Sequence, residues 1–228
     1  MAASGQLPLD LSHRSALGAE DFLVSRSNAP AVELIDRWPD WPHPAALVVG
    51  PRGSGKTHLA HVWRQRAAAA LTTAAALTDD RLETLAGGPA LIVEDLDRGI
   101  AEERTLFHLL NIARERRLSV LLTSAAPPGE LDVSLPDLRS RLRALPLAAI
   151  EAPDDALLGA VLVKLFADRQ IAVEPPVVEY LLARMERSMA AAGRIVAAAD
   201  RLALAMQRKV TRALVAEVLA GVNSDEAD

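Results

Sequence analysis

At 228 residues, 50% of them apolar and 24% charged, the chain is long enough for one domain with a sizeable core and a smaller appendage. It contains no cysteine, which excludes disulfides and thiolate metal sites, and its formal net charge of −5 with only 3% aromatic residues argues against a protein whose main task is holding nucleic acid or stacking bases. The first residues, MAASGQLPLD, have neither the basic start nor the apolar core of a secretory signal, and no apolar run approaches the roughly 20 residues of a membrane span. A cytoplasmic location, no membrane partner and little direct DNA binding are therefore expected, with room left for a local basic face.

Residues 1–18 read as a flexible tail, polar except for the apolar string Gln6-Leu7-Pro8-Leu9-Asp10-Leu11. A helix is predicted over Pro30 to Arg37, closed by Trp38-Pro39 and Trp41-Pro42. Ala45 to Val49 then forms a short apolar run, the pattern of a buried strand. It leads into Gly50-Pro51-Arg52-Gly53-Ser54-Gly55-Lys56-Thr57, which matches G-x-x-x-x-G-K-[ST] at every fixed position. The chemistry explains the spacing. Glycines let consecutive backbone N–H groups turn inward around phosphate oxygens, Lys56 reaches the outer phosphates, and the Thr57 hydroxyl can ligate Mg²⁺. A helix beginning at Thr57 adds its dipole, and His58 can reach the nucleotide through its backbone.

Beyond that helix the chain is alanine-rich from Ala67 to Leu77, with a second strand expected around Ala69 to Thr73. Ala90 to Val93 is a buried strand ending in Glu94-Asp95, Glu102 to Arg117 has helical spacing, and Ser119 to Ser124 is a strand ending on hydroxyls. Such alternation predicts an α/β fold, a mostly parallel sheet covered by helices on both faces. From Pro153 onward only helices are predicted, the last opened by Thr211 as an N-cap. The boundaries read as a tail at 1–18, an α/β nucleotide-binding domain at 19–151, a small all-helical lid at 152–222 and a second tail at 223–228. The five histidines have no metal-ligand spacing.

A P-loop, an acidic strand end, a hydroxyl strand end and a helical lid together resemble an AAA+ P-loop NTPase. The stretch from Glu20 to Asn28 is similar to the adenine-side segment of the DnaA replication-initiator family, which implies nucleotide contacts at Leu23, Val24 and Asn28. Leu121 to Ser124 and Leu138 to Leu142 resemble that family's sensor and arginine-finger segments, and Arg141 falls at the finger. The similarity runs from about residue 20 to 221 and ends where DnaA continues into a helix-turn-helix DNA-binding domain, so that domain is expected to be absent. Together with the tail string, this resembles Hda-type regulators of DnaA. In such partners a peptide with a glutamine and spaced leucines binds the replicative sliding clamp, here Gln6, Leu7, Pro8, Leu9 and Leu11.

Two departures from the family pattern bear on chemistry. The acidic pair reads Glu94-Asp95 where the family has aspartate first, so the Mg²⁺ position is either a glutamate one methylene too long or Asp95 in a slipped register. Slow intrinsic hydrolysis with intact binding is expected, Glu94, Asp95 and Thr57 being the metal candidates and Asp95 the catalytic one. The lid arginine that senses a third phosphate falls near Ala190, so ADP should be preferred or tolerated. Thr123 or Ser124 either orients the attacking water or simply caps its strand.

The resemblance implies a negative regulator of replication initiation, holding ADP or ATP with Mg²⁺, bound to the clamp, and stimulating hydrolysis of DnaA-bound ATP through the Arg141 face. Self-association is left open. The alternative is a DnaA-related helicase loader, for which an N-terminal helicase-binding region and a basic surface would be expected; a P-loop kinase is disfavoured by the all-helical C-terminal part.

Overall fold

Five strands, Ala45–Val49 (β1), Ala70–Thr73 (β2), Ala90–Glu94 (β3), Ser119–Ser124 (β4) and Leu147–Ala149 (β5), make one parallel sheet in the order β2-β3-β4-β1-β5. These assignments come from a computed structural model describing residues 23–225. The tail string Gln6 to Leu11 lies outside the described residues. The three inner strands are buried along nearly their whole length because both of their faces are covered, while edge strands β2 and β5 carry exposed positions. In register, Leu47 sits opposite Leu122 on one side and Leu147 on the other, and Val93 sits opposite Leu122.

Helices Ala29–Asp36 (α1), Lys56–Ala67 (α2), Asp79–Leu85 (α3), Glu103–Arg116 (α4) and Pro136–Ala144 (α5) complete this unit, which comprises Arg26–Ala152. One large apolar cluster joins Leu47, Leu91, Val93, Val120 and Leu122 to Leu106, Leu109 and Leu110 of α4 and Leu138 and Leu142 of α5. Burying each such leucine is worth roughly 1.5–3 kcal/mol. The three tryptophans of the chain meet on α2. Trp63 is fully buried, Trp41 stacks on it at 5.2 Å between centroids, and Trp38 meets it edge-on at 5.9 Å. Arg66 reinforces the cluster by donating to the Trp38 carbonyl at 2.8 Å. The tryptophan-proline pairs thus do more than end α1: their rings fasten the α1–β1 connector to the P-loop helix.

The second unit contains Leu23–Ser25 and the chain from Pro153 onward. Its helices are Asp155–Ala167 (α6), Pro175–Leu182 (α7), Met189–Met206 (α8) and Arg212–Asp225 (α9). Leu158, Leu162 and Phe166 of α6, Leu181 of α7, Ile195 and Val196 of α8 and Val215 of α9 share its core. Side-chain caps set three of the starts: Asp154 accepts from the Leu157 amide, Ser188 from Ala191, and Thr211 from Leu214. Among the described residues, no helix is long and apolar enough to cross a membrane.

Candidate functional site

Strand order places the site. The chain leaves β1, crosses to the far edge at β2, and works back through β3 to β4 beside β1, so the carboxyl ends of β1, β3 and β4 border the crevice where parallel sheets bind ligands. The loop from Gly50 to Gly55 fills the top of β1. Gly50 is buried against the end of β5: a β-carbon there would lie 2.4 Å from the Ile150 carbonyl oxygen and 2.9 Å from Ser54 Oγ. Gly55, at φ 102°, is the left-handed residue that turns the loop into α2. The neighbouring Glu151 amide donates to the Ser27 carbonyl at 2.8 Å, fixing the segment that carries buried Asn28 to the same strand end as the P-loop.

Lys56 opens α2, is only 8% exposed, and donates to the carbonyls of Gly50 at 2.6 Å and Pro51 at 2.9 Å. Burial is the main influence on it and lowers its pKa below 10.5, opposed by the negative charges of Asp97 first and Asp95 second. A buried ammonium held by its own loop is ready to exchange carbonyls for phosphate oxygens. Ser54 Oγ is buried without a partner among the described residues, while Thr57 and His58 are exposed at the start of α2.

Glu94, the last residue of β3, is 8% exposed, and its Oε1 is likewise buried without a partner. An orphaned carboxylate oxygen costs free energy unless a donor or cation reaches it. One residue beyond the Val93–Leu122 pair, Glu94 and Thr123 stand side by side on the strand face opposite Val93 and Leu122. Asp95 turns away at φ 59°, its amide donating to Thr123 Oγ1 at 3.2 Å and its carboxylate pairing with Arg98 at 3.4 Å. Ser124 is fully buried and spends its hydroxyl locally, donating to the Ala126 carbonyl at 2.6 Å. Of the two hydroxyl candidates, Thr123 is therefore the one adjoining the acidic pair.

The cradle fits the phosphates of a nucleoside di- or triphosphate. No cluster of three or more histidine, cysteine or acidic groups is arranged to hold a metal among the described residues, so a divalent ion here would depend on the phosphates, Thr57 and a single carboxylate, the usual pattern for Mg²⁺. Asp97 is the residue that sequence reasoning missed. Its Oδ1 accepts from the Ala125 amide at 2.6 Å, tying the turn after β3 to the end of β4, and its Oδ2 lies 4.0 Å from Arg52 of the P-loop. Only the count of three acids within four residues, Glu94, Asp95 and Asp97, hinted at it.

On the α/β unit, Arg141 of α5 is half-buried, with its guanidinium 4.6 Å from the Phe107 ring centroid. Arg139 is committed to structure through two donations to the Val133 carbonyl, whereas Arg143 is exposed. In the helical unit, Leu23 and Val24 are half-buried, and Ala190 is exposed in the first turn of α8. Arg187 and Arg194, the nearest cations to Ala190 in sequence, are occupied by Asp155 at 3.0 Å and Glu186 at 3.4 Å.

Fold and loop define an AAA+ P-loop module with an α/β core and a helical lid. Residues 155–219 match the family described as "Hda, lid domain". The chain is 26% identical over 196 residues to the chromosomal replication initiator DnaA of Cutibacterium acnes, covering 75% of this chain and 39% of that protein. It is also 26% identical over 226 residues to an uncharacterized Haemophilus influenzae protein, covering 94% and 98% respectively. Domain III of DnaA from Thermotoga maritima shares the fold with a TM-score of 0.76, at 16% identity over 88% of this chain and 94% of that one. The chain is thus similar to DnaA along most of its length and to the Hda lid family over residues 155–219.

Proposed function

We propose that this protein is an Hda-like negative regulator of replication initiation that binds adenine nucleotide with Mg²⁺ and stimulates hydrolysis of ATP held by DnaA. The observation carrying the proposal is the coincidence, in one chain, of an Hda-type lid at 155–219 with a complete phosphate cradle on a DnaA-like core. Phosphates bind to the amides of Gly53 to Thr57 and to Lys56; Thr57 and Glu94 hold the hydrated ion, and Thr123 positions the turn at Asp95 through its hydroxyl. With Glu94 leading the acidic pair and alanine at position 190, where the family's sequence pattern carries its phosphate-sensing lid arginine, the protein's own turnover is slow and a diphosphate is tolerated.

The catalytic contribution is made in trans by Arg141. Stacking on Phe107 is worth about 0.5–1 kcal/mol, whereas an arginine finger lowers a phosphoryl-transfer barrier by roughly 4–7 kcal/mol. The ring contact therefore orients the guanidinium at little cost to its delivery. The tail peptide Gln6 to Leu11 tethers the protein to the sliding clamp.

The test is a time course of DnaA-bound ATP with this protein, with and without clamp loaded on DNA. Conversion to ADP only in the presence of loaded clamp supports the proposal. Unchanged ATP under both conditions refutes it.

A further inference from the structure

Arg52 and Asp97 face each other across the mouth of the phosphate crevice, with Nη2 and Oδ2 4.0 Å apart. The two partners differ in freedom. The Arg52 side chain is 73% exposed, while that of Asp97 is 11% exposed and held by the Ala125 amide. Asp97 is thus a fixed charge and Arg52 a movable one. The loop's own geometry says what Arg52 can reach. Gly53 to Lys56 supply the amides nearest the start of α2 and so surround the inner phosphates. Arg52, near enough to Lys56 for its charge to lower that lysine's pKa, is the loop's second cation and is left exposed to meet a further phosphate.

We propose that Arg52 and Asp97 form a charge latch in which the Asp97 carboxylate competes with the terminal phosphate for the Arg52 guanidinium, making the pair a determinant of triphosphate against diphosphate binding. The inference rests on the nucleotide-site reading above. A diphosphate leaves the latch closed, because its phosphates are served by the cradle amides and Lys56. A triphosphate must draw Arg52 off Asp97 and then lies close to an uncompensated carboxylate. The influence of Asp97 on Lys56, larger than that of Asp95, agrees with its negative charge being felt inside the crevice. The Arg52 side chain is exposed, so changing it costs the fold little, and Asp97→Asn keeps the acceptor that ties this position to the Ala125 amide.

Calorimetric titration of the full chain with Mg-ADP and with Mg-AMPPCP, a non-hydrolysable triphosphate, tests this. Asp97→Asn retains an acceptor for the Ala125 amide and should lower the AMPPCP-to-ADP ratio of Kd values by about threefold to tenfold. Arg52→Gln should raise that ratio, and Asp97→Asn should lower it by less in the Arg52→Gln background than on its own, because the part of the Asp97 effect exerted through Arg52 is then lost. Equal effects on both nucleotides, or a full Asp97→Asn effect persisting without Arg52, would overturn the latch. Should Asp97→Asn not fold, an unchanged ratio in Arg52→Gln overturns it as well. A wild-type protein that binds neither nucleotide would remove the nucleotide-site reading and the latch together.

Discussion

A single methyl group at position 50 probes whether the P-loop is seated as described. In Gly50→Ala the new carbon would meet the Ile150 carbonyl at 2.4 Å, the Ser54 hydroxyl at 2.9 Å and Ile150 Cβ at 3.1 Å. The first contact is with backbone, so it cannot be relieved by a rotamer change, and the loop or the end of β5 must shift. Overpacking of this kind costs roughly 1–3 kcal/mol. For a protein of this size each kcal/mol moves the midpoint by about 2–4 °C, so a drop of about 2–12 °C is expected. All three tryptophans lie in the α/β unit, so thermal unfolding followed by their fluorescence reads that unit. Nucleotide affinity should fall as well, because displacing the loop misaligns the amides that surround the phosphates. A variant with unchanged midpoint and unchanged nucleotide affinity would refute the packing of Gly50 against Ile150 as the reason for glycine at this position.

Lys56→Ala should abolish calorimetric nucleotide binding, and retained affinity would remove the P-loop assignment. Because the folded pKa of Lys56 lies below 10.5, the unfolded chain holds more protons between the two values, so the nucleotide-free protein gains stability as pH rises through that window. Lys56→Met should flatten this alkaline limb in denaturant titrations; an unchanged slope would show that burial of Lys56 is not its source. The purified protein alone should turn over ATP barely above background in a phosphate-release assay, and brisk turnover would contradict the roles given to Glu94 and Ala190. Changing Leu9 and Leu11 to alanine should release the protein from the clamp in a pull-down without altering nucleotide affinity, since a single peptide of micromolar affinity, near −8 kcal/mol, depends on a few leucines worth roughly 1.5–3 kcal/mol each.

The long elements were legible because their periodicity is strong. The buried runs at 45–49, 90–93 and 119–124 form β1, β3 and β4, and the apolar stripe over 102–117 forms α4 within one residue at each end. The phosphate loop was legible because its chemistry fixes both residue type and spacing. What escaped was short or tertiary in origin. Strand β5 has three residues, two of them exposed, and becomes a strand only by pairing with β1. Helices α3 and α5 each span under three turns, too short for an apolar period to stand out. Asp97 gained its place from a hydrogen bond to Ala125 and proximity to Arg52, contacts that no sequence spacing encodes. Similarly, Arg139 and Arg143 looked alike in sequence, yet the Val133 contacts of Arg139 make Arg143 the cleaner control for Arg141.

Hydrolysis stimulated in trans is read out by following DnaA-bound ATP in the presence of DNA-loaded clamp with wild-type protein, Arg141→Ala and Arg143→Ala. A finger contributes about 10³–10⁵ in rate, while a surface charge changes activity by roughly 1 kcal/mol, or under sixfold. The account predicts that Arg141→Ala keeps its fold, its nucleotide affinity and its clamp binding yet leaves DnaA-bound ATP unhydrolysed, with Arg143→Ala close to wild type. Stimulation by Arg141→Ala within sixfold of wild type would contradict it.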